Sequence, residues 1–65
     1  MVKETLNKVP ESVKRQLDEY KRMYEGIPNR REETSARAAG YVLGLKDAGL
    51  ITERERMALF VYTTV

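Results

Sequence analysis

The sequence predicts a small all-α domain of three helices, at about residues 10–25, 30–48 and 53–62, with the second at its centre. Three observations carry this. The chain has 65 residues, enough for one domain. Apolar residues recur at helical spacing in three stretches. The stretches are separated by short punctuation at Gly26–Pro28 and at Gly49, each followed by a helix-opening pattern. Residues 1–9 are expected to form an N-terminal arm, and residues 10–65 a single helical domain.

The first helix is expected to start at Pro10, because proline suits the first helical position, where its missing N–H has no intrahelical partner. Val13, Leu17, Tyr20, Tyr24 and Ile27 follow at spacings of 4, 3, 4 and 3. At helical pitch they span an arc of about 80°, a narrow stripe. The rest of this helix is charged, with i,i+4 pairs such as Glu11–Arg15 and Lys21–Glu25, so it reads as an outer wall.

The second helix opens on Asn29-Arg30-Arg31-Glu32, which has the form of a capping box. Ala38, Tyr41, Val42, Leu45 and Ala48 make one apolar face, and Ala39 with Leu43 a second. A helix apolar around so much of its girth is expected to be surrounded. The third helix opens on Thr52-Glu53-Arg54-Glu55, another capping box. Residues 59–65 are rich in β-branched and aromatic side chains, and a short terminal strand is the alternative there. The expected core is Leu17, Tyr20, Val42, Leu45, Leu50, Ile51, Leu59 and Phe60.

Ala36, Gly40, Gly44 and Ala48 lie four apart along the second helix. Each glycine costs about 0.8–1.0 kcal/mol relative to alanine in a helix interior. A row stripped of side chains is a groove in which another helix can cross closely. The expected occupant is the first or third helix of the same chain. A homodimer contact, a foreign protein and a nucleic-acid backbone are the alternatives.

Composition excludes much chemistry. There is no Cys and no His, so disulfides, thiolate nucleophiles, thiolate zinc sites and the commonest general base are absent. Most carboxylates have a basic neighbour at i±3 or i±4. Ser12, Thr34 and Ser35 have no partner to activate them. Neither an enzyme nor a bound metal or cofactor is expected. No apolar run approaches 18 residues and no signal-peptide core follows Met1-Val2-Lys3-Glu4, so a cytoplasmic protein without a membrane span is expected.

The charge balance is 12 Lys+Arg against 10 Asp+Glu, a net +2. Arg30, Arg31 and Arg37 cluster at the start of the second helix, which keeps phosphate binding open, but Glu32 and Glu33 follow directly. Arg30, Arg31, Arg37, Gly40, Tyr41 and Gly44 are the candidate partner-binding residues, since arginine and tyrosine dominate interface energetics.

Leu45, Gly49, Ile51, Thr52, Glu53 and Glu55 resemble the short C-terminal (SHOCT-type) helical hairpin, with its "L-x-x-x-G-x-I-T" joint and acidic opening of the next helix. That resemblance implies an interaction or oligomerisation module. It covers about a third of the chain, and Arg56 replaces the family's aromatic. The same joint resembles that of winged-helix DNA-binding domains, which implies a recognition helix at 35–46 and a wing strand at 59–65. Ala, Gly, Val and Leu stand there where base-reading side chains should project. The central "R-A-x-G-Y-x-x-G-L-x-D-A-G-L-I-T" is similar to small proteins carried by phages and mobile elements, which implies an inhibitor or accessory factor, anti-CRISPR roles included. The expected function is therefore a non-catalytic protein–protein interaction module whose partner is a host or defence factor, with a small DNA-binding regulator as the alternative.

Overall fold

The computed structural model describes residues 2–64. It contains α1 (Val2–Lys8), α2 (Glu11–Gly26), a 3-10 turn at Pro28–Arg30, α3 (Arg31–Asp47) and α4 (Glu53–Thr63). The last three α-helices are those expected from the sequence. The first is not: the segment read as an arm is a helix. Val2, Leu6 and Val9 recur at spacings of 4 and 3, with Thr5 on the same side. Thr5 and Val9 are buried, and Val2 and Leu6 pack against the core. Seven residues are too few for a stable isolated helix, so packing rather than propensity holds α1 in place.

Pro10 stands one position outside α2, as its N-cap, with ψ 152°. Its carbonyl accepts the N–H groups of Val13 at 3.0 Å and Lys14 at 3.1 Å. The joint between α2 and α3 also differs from expectation. Asn29 lies within the 3-10 turn, and the N-cap of α3 is Arg30, with no side-chain cap bond. The Asn29–Glu32 capping box does not form, because Pro28 leads a tight turn in which the Arg30 N–H bonds to the Ile27 carbonyl at 3.0 Å.

Between α3 and α4 the local signals act as read. Gly49 adopts φ 79°. Its N–H bonds to the Lys46 carbonyl at 2.9 Å, and the Leu50 N–H reaches the Leu45 carbonyl at 3.0 Å. This is a Schellman turn, and it requires a left-handed residue that glycine adopts without a Cβ clash. Thr52 then caps α4 reciprocally: its hydroxyl accepts the Glu55 N–H at 3.1 Å, while its own N–H donates to Glu55 Oε1 at 2.8 Å. Helix continues to Thr63, so the alternative of a strand at 59–65 is overturned over its described residues; Val65 lies outside them. The Thr63 and Thr64 hydroxyls donate to the Phe60 carbonyl at 2.9 and 2.8 Å, bonds that a helical last turn permits.

The core is Val9, Val13, Leu17, Val42, Leu45, Ile51 and Leu59, with Val2, Leu6, Tyr41 and Phe60 packed against it. Leu50, expected in the core, is 44% exposed. It follows the left-handed glycine, where the chain has already turned outward. Tyr20 is half-buried and meets Tyr41 edge-on, ring centroids 5.7 Å apart. Two residues before Tyr20 on α2, Asp18 accepts the Tyr62 hydroxyl at 2.8 Å. Lys21 donates to the Tyr62 carbonyl at 3.2 Å and sits 4.9 Å from the centre of its ring. No helix among the described residues is long and apolar enough to cross a membrane.

Candidate functional site

Helix α3 turns Thr34, Ala38, Val42 and Leu45 toward the core. Gly40 and Gly44 lie roughly 115–155° around the helix from the centre of that stripe. Ala36, Gly40, Gly44 and Ala48 are all exposed. A methyl group added at Gly40 or Gly44 would meet nothing within 4 Å. The expectation that α2 or α4 fills this groove is therefore overturned, as is the expectation that α3 is surrounded. One helix cannot face its packed stripe and its small-residue row inward together, and the bulkier stripe buries more apolar surface.

Three large apolar side chains are also exposed on α3 and α4. Leu43 is 45% exposed, and Met57 and Val61 on α4 are each 56% exposed. Lys46 and Glu53 pair at 3.3 Å across the two helices. Leu43 stands three residues before Lys46, and Met57 four residues after Glu53. Those spacings keep neighbours on one side of a helix. Leu43 and Met57 therefore each lie within a turn of this ion pair, with Val61 a turn further along α4.

The six residues expected to bind a partner divide. Arg37, Gly40 and Gly44 lie on the outward face, where Arg37 pairs with Glu33 at 2.9 Å. Arg30 and Arg37 line a small groove of about 80 Å³ with Met23, Ile27, Glu33 and Thr34. Arg31 points the other way, donating through Nε to the Tyr24 carbonyl at 2.9 Å, its guanidinium 5.1 Å from that ring's centre. It ties α3 to the end of α2. Tyr41 is half-buried against Tyr20, and burial first, then Tyr20, pushes its hydroxyl pKa up. Sequence reasoning missed Leu43, Met57 and Val61, because apolar residues at helical spacing read as core; the signal was an excess of apolar faces over neighbours available to cover them.

The charged groups are largely engaged with one another. Lys8, Arg15, Lys21, Arg22, Arg37, Lys46 and Arg56 each hold a carboxylate within 4.0 Å. A hydrogen bond from Arg56, helped by Lys46, holds the Glu53 carboxyl at about 2. A hydrogen bond from Lys8, with the Thr52 N–H, does the same for Glu55, also at about 2. A shallow furrow of about 600 Å³ runs between Arg15, Asp18, Glu19, Lys21, Arg22 and Glu25 along α2. Its alternating charges neutralise each other and leave no focused field. Among the described residues no cluster of three potential metal ligands occurs.

Comparison with protein-family models, with curated proteins and with solved structures returns no match for this chain.

Proposed function

We propose that the protein is a non-catalytic protein-binding module that meets its partner with the outward face of the α3–α4 hairpin. The observation that carries this is the open glycine row of α3 with Leu43 exposed three residues after Gly40, together with Met57 and Val61 exposed on α4. Two helix-interior glycines cost about 0.8–1.0 kcal/mol each, and among the described residues no neighbouring element comes within 4 Å of either Cβ position to offset that cost. An incoming backbone that approaches Gly40 and Gly44 closely, with Leu43 beside it, supplies the missing contact. A role as an inhibitor or accessory factor fits the same face, since such a protein acts by occupying a surface.

The charge pattern supports a protein partner over nucleic acid. Arginine and lysine already held by carboxylates must exchange those partners for phosphates, which reduces the gain from counterion release. The test is affinity capture with wild type beside a Leu43→Glu/Met57→Glu variant, both positions being exposed and outside the core. The expected result is a protein retained by wild type and lost by the variant. Equal retention by both, or retention of DNA with a steep salt dependence, would contradict the proposal.

A further inference from the structure

We propose that α1 is a strap that undocks from α2–α4 as one piece, its attachment controlled by the Glu55 carboxylate. Helix α4 is its principal neighbour, and two side chains of α1 meet one carboxylate there. The Thr5 hydroxyl donates to Glu55 Oε2 at 3.3 Å, and Lys8 Nζ donates to Oε1 at 2.7 Å. Lys8 also lies 2.7 Å from Oε2. The same Oε1 accepts the Thr52 N–H that begins α4. Two residues of α1 and the cap of α4 thus share a single carboxylate.

Val2 and Leu6 add apolar packing against the core cluster. A seven-residue helix is not stable by itself, so leaving α4 and losing helical structure are one event. The start of α2 does not depend on α1. The Pro10 carbonyl already holds the Val13 and Lys14 N–H groups, so α2 keeps its first turn when the preceding segment departs. Release lifts Val2 and Leu6 from the core cluster and opens apolar surface beside the α4 N-terminus, while α2, α3 and α4 retain their mutual contacts. The strap is thereby a built-in cover for one side of the core.

Amide hydrogen exchange of the full chain tests this, in wild type, Thr5→Val, Lys8→Ala and Glu55→Gln. The first two variants leave the α4 cap untouched, and glutamine keeps an oxygen for the Thr52 N–H while losing the negative charge that faces Lys8. In each variant, exchange over residues 5–8 is expected to quicken about tenfold, the scale of one charge-assisted hydrogen bond, with the Leu17 and Val42 amides unchanged. In wild type alone, α1 exchange is expected to depend on urea less steeply than α3 exchange, because a local opening exposes less surface. Equal urea dependence in α1 and α3, a common acceleration of all helices, or unchanged α1 rates would overturn the proposal.

Discussion

Replacing Gly40 and Gly44 together by alanine separates a packed groove from an open face. In an open face the added methyl groups meet no atom within 4 Å, so only helix propensity changes. The gain is about 0.8–1.0 kcal/mol per site, or roughly 1.6–2.0 kcal/mol for the pair if the sites are independent. In a domain of this size 1 kcal/mol moves the midpoint by about 4–8 °C. Thermal denaturation followed by circular dichroism at 222 nm should therefore show a Tm rise on the order of 6–16 °C. A packed groove gives the opposite sign, because overpacking outweighs propensity. A fall in Tm would refute the open face. The same variant should bind its partner more weakly, since the methyl groups stand where the partner's backbone approaches. Higher stability with undiminished binding would mean that the row has no part in recognition.

Other outcomes follow from single contacts. Leu59→Ala, at a fully buried position, should cost about 2–5 kcal/mol, measured by urea denaturation. Thr52→Ala removes a capping box and should cost about 0.5–2 kcal/mol, whereas Asn29→Ala, at a residue that caps nothing, should leave the midpoint unchanged. Tyr62→Phe deletes the bond to Asp18 and should cost about 0.5–1.5 kcal/mol. The carboxyls of Glu53 and Glu55 sit at about 2 instead of 4.5. Below pH 4.5 the unfolded chain therefore binds more protons than the folded one, and stability should fall as pH drops from 4.5 toward 2. Lys8 and the Thr52 N–H are the groups that hold Glu55 low, so Glu55→Gln should flatten part of that fall; an unchanged pH profile of Tm in this variant would contradict the assigned cause.

The elements whose signals are local were legible. Thr52 with Glu55, and Gly49 with its left-handed turn, mark a helix end and a helix start through bonds within a few residues, and the sequence names both. Leu17, Val42, Leu45 and Leu59 were legible as core because each continues a stripe. The failures lie where tertiary contact decides. Residues 2–8 form a helix because α4 supplies a surface and a carboxylate 47 and 50 positions away, and nothing in seven residues announces that. Asn29 matches a capping pattern, but Pro28 one residue earlier commits the chain to a tighter turn. The glycine row was legible as a groove, while its emptiness was not, since spacing shows which residues share a face and not what lies opposite. The same limit applied to Leu43, Met57 and Val61.

The outward face of the α3–α4 hairpin is tested most directly by placing a photo-crosslinking residue at Leu43 and, separately, at Arg15 on the charged outer side of α2, then irradiating each protein in lysate. Adducts with protein at position 43 and none at position 15 are the predicted result, a second copy of this chain and a different protein both counting as partners. Adducts at position 15 alone, or crosslinks at position 43 to nucleic acid instead of protein, would contradict it.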